Sequence, residues 1–366
     1  LLMNHHDVVE ASGEWTHPPF SGAIEDGRVW GRGTLDTKGG LCTMLTAADE
    51  LAREGFTPRR DTYFVSTCTE ETGGEGGNAI SNLLKERGIH FYMVLDEGGM
   101  ILYDPIGGAD GTFAMIGVGE KGYMDLKFVA KSNGGHASAP GKNTPIARLA
   151  QFICEAEKAQ IFDIEMSDTV KEMLSRFAPT MKGVMKTACG NVKAFKPVLE
   201  KVMPMISPSA AALLRTTLAF TQSKGSDGSN VIPQEAYVVG NMRYSHHQGR
   251  DASVNAVTEL AKKYDIETIV LDDGGESKIT DFNGEQFKFI EKAVNTLFPQ
   301  YKPVPYIMNG ASDSRYFNRV CENCLRFVPF NIDNQQYGSV HGIDENVFIK
   351  CLPEAVDFYR YVIKEV

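Results

Sequence analysis

Two adjacent glutamates, Glu70 and Glu71, end the run Tyr63-Phe64-Val65-Ser66-Thr67-Cys68-Thr69, and Gly73-Gly74 follows at once. The run is rich in β-branched and aromatic residues and reads as a buried strand. Neighbouring side chains of a strand point to opposite faces. A charged pair in mid-strand would therefore drive one carboxylate into the core, where an unpaired charge is costly. At the carboxyl end of the strand both can turn into one crevice, the place where open α/β sheets keep their ligands. Two carboxylates there repel unless a cation or a proton separates them. The remaining residues must then be searched for a way to hold a cation.

The chain has 366 residues, enough for two domains or for one large domain with an insertion. Its first third alternates helix-like and strand-like segments. Residues 39–54 place Leu41, Met44, Leu45, Ala48 and Leu51 on one helical face. A second helix is expected over 78–87, and a second strand over 91–95, ending in Asp96-Glu97-Gly98-Gly99. Such alternation implies α/β architecture with a mostly parallel sheet.

The pattern changes near Gly117-Val118-Gly119. Residues 124–130, 217–222 and 236–244 alternate apolar and polar as half-exposed strands do, and 267–271 reads as a further strand. Helices are expected over 144–158 and 252–264, and 161–215 is Met-, Ala- and Lys-rich with breaks at Pro179, Pro197, Pro204 and Pro208. After Asp281 longer helices return, over 284–298 and 347–363. The expected organisation is a discontinuous catalytic domain, 1–119 with 280–366, and an inserted α+β lid domain, 120–279, carrying extra helices at about 161–215. Leu1-Leu2-Met3 reads as the end of a strand, so a preceding segment is expected.

Composition narrows the class of function. The net charge is −10 and the acids are dispersed, which argues against a nucleic-acid partner. No apolar run is long enough to span a membrane, and no signal peptide is visible. Seven cysteines lie mostly scattered; Cys321-Glu322-Asn323-Cys324 lacks the companions of a zinc or redox motif. They read as free thiols of a reducing, cytoplasmic compartment.

Polar residues gather where strand-like runs end. His5-His6-Asp7 follows the opening strand, Asp36 lies in Gly31-Arg32-Gly33-Thr34-Leu35-Asp36, and Glu70-Glu71 and Asp96-Glu97 close two further strands. His341 precedes the last helix. Singly, these are ordinary caps or solvated charges. Together they mix imidazole with carboxylate, a donor set suited to zinc or a similar divalent ion. They are too many for one tetrahedral ion and fit two ions sharing a carboxylate, with one Glu left as a base. Gly31-x-Gly33 lacks the third glycine of the dinucleotide fingerprint, since Asp36 stands there, which argues against a third reading, a nicotinamide-dependent oxidoreductase.

The order of these residues resembles the M20 metallopeptidases. The likeness rests on His5-x-Asp7, Trp15, Pro19-Phe20, Asp26-Gly27, Gly31-Arg32-Gly33-x-x-Asp36-x-Lys38 and Glu70-Glu71-x-Gly73-Gly74. It continues through Asp96-Glu97-Gly98, Gly135-His136-Ala137-Ser138, Asn230-Val231-Ile232-Pro233, Arg243, Gly310-x-Ser312-Asp313-x-Arg315 and His341. The branch it is most similar to holds carboxypeptidase S, N-acyl-amino-acid hydrolases and aminoacylase-1-like enzymes.

The resemblance implies two Zn2+ per chain, with Co2+ or Mn2+ as substitutes. They would be held by His5, Asp36, Glu71, one of Asp96 or Glu97, and His341, with Asp36 bridging. Spacing from Glu71 leans towards Asp96. Asp7 would orient His5 by accepting its hydrogen bond, and His6 would be structural. Glu70 would be the general base, and His136 would reach a neighbouring subunit's site to stabilise the oxyanion. Arg243 would grip a substrate carboxylate, with Asn230, Gly310 and Ser312 as further substrate contacts. The implied activity is hydrolysis of a peptide or N-acyl amino acid bearing a free carboxylate, in a homodimer formed through the lid. The rival reading is a non-catalytic, metal-dependent binding protein on the same fold.

Overall fold

An eight-stranded sheet organises one half of the molecule. The computed structural model describes all residues 1–366. It resolves into two units: Leu1–Glu120, Asp168–Lys196 and Ser277–Val366 form the first, and Lys121–Ser167 with Pro197–Glu276 form the second. In the first unit the strand order is Asn331–Ile332, Ile101–Tyr103, Thr112–Glu120, Cys324–Arg326, Val94–Asp96, Leu2–His5, Phe64–Thr67, and Lys302–Met308 also pairs with Thr112–Glu120. Pairing is parallel except where Thr112–Glu120 meets Ile101–Tyr103 and Cys324–Arg326. The expected α/β class with a mostly parallel sheet is the observed one.

Parallel pairing decides where the chemistry sits. Leu2–His5 lies between Val94–Asp96 and Phe64–Thr67, with His5 opposite Thr67 and Leu2 opposite Leu95. The carboxyl ends of all three strands therefore share one edge. His5, the Glu70-Glu71 pair and the Asp96-Glu97 pair arrive there together. Phe64–Thr67 is the outermost strand, so Phe64 keeps 38% of its surface exposed and the run is half-buried rather than buried.

Helices Lys38–Arg53, Glu285–Leu297 and Cys351–Glu365 complete the core of this unit. Met44, Ala47 and Leu51 join Phe287, Ile290 and Val294, and Phe358, Tyr359 and Val362, against Leu2, Leu95, Ile116 and Leu325. The expected helix over 347–363 is shorter, because Asn346–Phe348 pairs as a strand with Arg28–Trp30. Three strands carry little sequence signal. Lys302–Met308 holds two prolines, Thr112–Glu120 holds two glycines, and Cys324–Arg326 is only three residues long.

Segment Asp168–Lys196 packs with the first unit, although the sequence assigns all of 120–279 to the inserted domain. The apolar face of helix Asp168–Phe177 explains this. Phe177 meets Phe113 edge-on at 4.7 Å between ring centroids, and Arg176 donates to the Pro303 carbonyl at 2.9 Å.

The second unit is a four-stranded antiparallel sheet in the order Thr217–Lys224, Glu235–Tyr244, Gly122–Lys131, Ile266–Gly275. Helices Pro145–Lys158 and Gly249–Lys262 pack on it. Its core includes Phe128, Phe152, Met242, Val257 and Leu260. Phe128 is fully buried and its ring lies 4.8 Å from that of Phe152. Phe128→Ala should destabilise this unit by about 3–5 kcal/mol, read as a lower urea midpoint in the far-UV circular dichroism of the second transition or of a merged one.

Candidate metal centre and active site

Asp36 is brought to the strand ends by a short three-stranded sheet and a tight loop. Arg28–Trp30 pairs with Ala23–Glu25 and with Asn346–Phe348, so the segment after Trp30 runs beside the segment that carries His341. Lys38 N–H closes the loop on the Gly33 carbonyl at 2.8 Å. Gly39 permits that closure: a Cβ there would lie 2.2 Å from the Thr34 carbonyl oxygen. Thr37 donates to the Asn4 side chain at 2.8 Å, tying the loop to the strand that ends in His5.

The Asp36 carboxylate lies between two imidazoles. Its Oδ1 is 3.0 Å from His5 Nε2 and its Oδ2 is 2.9 Å from His341 Nε2. His341 Nε2 is also 3.2 Å from Glu71 Oε2. The Nδ1 hydrogen of His5 is donated to the Asp7 carbonyl oxygen at 3.0 Å, which turns Nε2 towards Asp36. Asp7 thus meets His5 through its backbone carbonyl, and its carboxylate Oδ1 lies 3.4 Å from the same Nδ1. The carboxylate also accepts the Glu71 N–H at 3.0 Å and holds the turn Glu70–Thr72 that carries both glutamates. His6 pairs with Ser66 at 2.7 Å, away from this cluster.

The two acids at 96 and 97 face different neighbours. Asp96 is buried, and both of its oxygens accept backbone N–H groups, from Glu97 at 2.9 Å and from Ser314 at 2.9 Å. Glu97 is raised well above the usual carboxylate range by burial and by the charges of Asp36, Asp96 and Glu70. Asp96 is thus engaged by backbone donors, whereas Glu97 shares the electrostatic surroundings of His5, Asp36 and Glu70.

Among these side chains alone, the electrostatics are those of a crowded acid site. Burial pushes Glu70 up to about 8, helped by Asp313, Glu71 and Asp36 and opposed by His5. Glu71 is raised too, by burial and by Asp36. Burial pulls His5 down, but its hydrogen bond to Asp36 and the charges of Glu97, Asp36 and Glu70 outweigh this and raise it to about 11. The hydrogen bond to Asp36 raises His341 to about 9 against the effect of burial. Asp36 is held low: burial acts upward, and the hydrogen bonds from His341 and His5 prevail.

This donor set fits a divalent cation. His5, Asp36 and Glu71 each offer one ligand atom, all within 4.8 Å of one another, and Glu71 Oε1 is buried with no hydrogen-bond partner.

The other predicted contacts divide. Ser312 is fully buried and donates to Glu120 Oε1 at 2.7 Å, so it props the site from beneath and is not presented to a ligand. Gly310 is exposed at the end of Lys302–Met308, with open space beside it. In the second unit, His136 and Asn230 are adjacent on a two-stranded ribbon where Val231 pairs with His136. His136 Nδ1 accepts the Ser138 N–H at 3.1 Å, so a neutral ring carries its proton on Nε2. Arg243 stacks on Tyr123 at 4.6 Å and donates to Asn241.

Sequence reasoning misses two buried ion pairs around the centre. Arg326 donates to Glu120 Oε1 through Nε at 2.8 Å, and both residues are fully buried. Arg32 donates to Glu345 Oε2 at 2.7 Å, and Glu345 is fully buried. Arg32 and Glu345 flank Asp36 and His341 in sequence, but a single chain gives no sign that they meet.

A mostly parallel α/β sheet with a carboxylate between two histidines at its carboxyl edge defines a metallo-hydrolase of the two-unit peptidase class. The chain belongs to the peptidase family M20/M25/M40, whose family model matches residues 1–365. It is 32% identical to the human N-fatty-acyl-amino acid synthase/hydrolase PM20D1, over 100% of this chain and 73% of that protein. It is also 32% identical to the Dictyostelium discoideum protein named "Probable carboxypeptidase S-like 2", over 100% of this chain and 71% of the relative. In fold it is similar to the M20 family metallo-carboxypeptidase Sso-CP2 from Sulfolobus solfataricus, with a TM-score of 0.68, 17% identity, and coverage of 99% of this chain and 83% of that one.

Cation ligation requires neutral imidazoles, so loading must displace the protons that Asp36 holds on His5 and His341. A raised histidine stabilises the metal-free fold fully below pH 6.5, its ordinary value, and loses that contribution as pH rises through about 9 for His341. Apparent Zn2+ affinity should therefore rise from pH 6.5 towards 9. Calorimetric heats at pH 7 should change with the ionisation enthalpy of the buffer, reporting proton release.

Proposed function

We propose that the protein is a two-metal amide hydrolase acting on peptides or N-acyl amino acids with a free carboxylate. The observation that carries this reading is Asp36, whose two oxygens face different imidazoles, 3.0 Å from His5 and 2.9 Å from His341. One ion would be held by His5, Asp36 and Glu97, the other by His341, Asp36 and Glu71. Zinc suits these donors, and cobalt or manganese could replace it. Bound ions would acidify a water and polarise the scissile carbonyl.

The chain's own residues supply the rest. Glu70 lies in the same turn as Glu71, so the acceptor of the water proton is placed next to a ligand. Its carboxylate would take that proton and return it to the leaving amine. His136 would donate its Nε2 hydrogen to the oxyanion developing at a neighbouring subunit's site, with Asn230 beside it. Arg243 offers a guanidinium for the substrate carboxylate, and exposed Gly310 leaves room for the substrate backbone. The names of the relatives, a carboxypeptidase and an N-fatty-acyl-amino acid hydrolase, support both substrate classes.

The same reading includes a homodimer through the second unit. Ile266–Gly275 is an edge strand there, and Ile269, Val270 and Leu271 are exposed along it, as an edge awaiting a partner would be. The seven cysteines are all free, in keeping with a reducing cytoplasmic setting.

Glu70→Gln should lower kcat about 10²–10⁴-fold while metal content stays at the wild-type value. Turnover unchanged with metal bound would rule out Glu70 as the base, and no hydrolysis by wild type across dipeptides and N-acyl amino acids would favour the binding-protein reading. Arg243→Ala should raise KM most for substrates with a free carboxylate and little for their amides. Sedimentation of the purified chain should give twice its sequence mass.

A further inference from the structure

We infer that Glu345 is the positioning residue that fixes the His341 side of the metal centre, by clamping the Asp36 loop to the His341 loop. The inference rests on the two-ion reading above. The Glu345 carboxylate is fully buried and accepts four hydrogen bonds. Oε1 takes the N–H groups of Leu35 at 2.8 Å and Asp36 at 3.1 Å, and Oε2 takes Gly33 N–H at 3.0 Å and Arg32 Nη1 at 2.7 Å. The Glu345 carbonyl oxygen also accepts Gly31 N–H at 2.8 Å. One side chain thus gathers most of the donors of the loop that presents Asp36.

The same residue ends the loop that presents His341. Arg32, once paired with Glu345, extends its second nitrogen to the Gly342 carbonyl at 2.5 Å. Asp344 accepts the Thr16 N–H and hydroxyl, each at 2.8 Å, which secures the outer side of that loop. His341 itself has φ +61°, a left-handed conformation that a non-glycine residue keeps only when its surroundings hold it. Glu345 therefore touches both the His341 loop, which serves one ion, and the Asp36 loop, which serves both. His5 is placed independently, by its strand and by the Asp7 carbonyl, and Glu97 follows a different strand.

The charge and the shape of the carboxylate both matter. A glutamine at 345 would have one acceptor oxygen, and either orientation of its amide would set an NH2 against two donors.

The test is a stepwise Co2+ titration of metal-free wild type and Glu345→Gln, followed by visible absorption and by competition with a chelator. Glu345→Gln should weaken the ion on the His341 side about 10–100-fold and the ion on the His5 side, which shares Asp36 but keeps His5 and Glu97 in place, by a clearly smaller factor. Equal weakening of both ions would mark a merely structural role and overturn the inference, as would unchanged affinities in the folded variant. Hydrogen exchange of the Gly33, Leu35 and Asp36 amides in the metal-free proteins supplies a readout without metal. It should be faster in the variant, and unchanged protection overturns the clamp. Uptake of a single ion by wild type would refute the two-ion reading, and amide exchange alone would then decide the role of Glu345. Should Glu345→Gln not fold, Glu345→Asp, which keeps the charge on a shorter arm, is read by the same criteria.

Discussion

Asp36, Glu70, Glu71 and Glu97 crowd the edge where three parallel strands end, and repulsion among these carboxylates governs the surrounding structure. Two unit charges about 4 Å apart repel by roughly 1 kcal/mol in water and about 4 kcal/mol near a protein surface. Burial raises the proton affinity of Glu70, Glu71 and Glu97 further. His5 and His341 offset part of this by pairing with Asp36. Divalent cations would offset far more, so the fold concentrates negative charge where function needs a cation held. The cost of that concentration is local, and the sheet beneath bears it through its hydrophobic core.

Two buried ion pairs brace the crowded edge. Arg32 with Glu345 joins the two ligand loops, and Arg326 with Glu120 underlies Asp96, Ser312 and Ser314. Arg326 stands opposite Asp96 in the parallel register, so the position of its guanidinium is fixed by strand pairing. Buried pairs contribute little net stability compared with well-packed apolar residues, and removing one partner leaves an uncompensated charge. Their value here lies in geometry: each fixes a group whose neighbour in sequence faces the cation site.

Much of the centre is legible in the sequence because strand ends announce it. Glu70-Glu71 and Asp96-Glu97 both follow apolar runs, and the parallel sheet then brings them beside His5. Asp36 and His341 are legible only through their motif context, since the loops that carry them have no periodicity. Choosing between Asp96 and Glu97 needs their surroundings: Asp96 is taken up by the Glu97 and Ser314 N–H groups, which no sequence pattern shows. Ser312 misleads for a related reason. It sits in a glycine-flanked motif that looks exposed, yet the hydroxyl turns inward to Glu120. The helix Asp168–Phe177 joins the first unit because Phe177 finds Phe113, a contact between residues 64 positions apart that no local pattern encodes.

The strand order has a consequence for how the protein comes into being on the ribosome. Cys324–Arg326 lies between Val94–Asp96 and Thr112–Glu120, so the centre of the sheet is filled by a segment made long after both of its neighbours. Until then Val94–Asp96 has an open edge, and Asp96 and Glu120 lack the guanidinium that Arg326 will bring. His341 emerges later still, and Glu345 after it. A nascent chain can thus build most of its helices and much of its sheet while the hydrolytic centre is incomplete. Long-range closure of this kind is slow compared with local folding, and here it doubles as a safeguard: a metallo-hydrolase becomes competent only once the segment reaching Glu345 has been made.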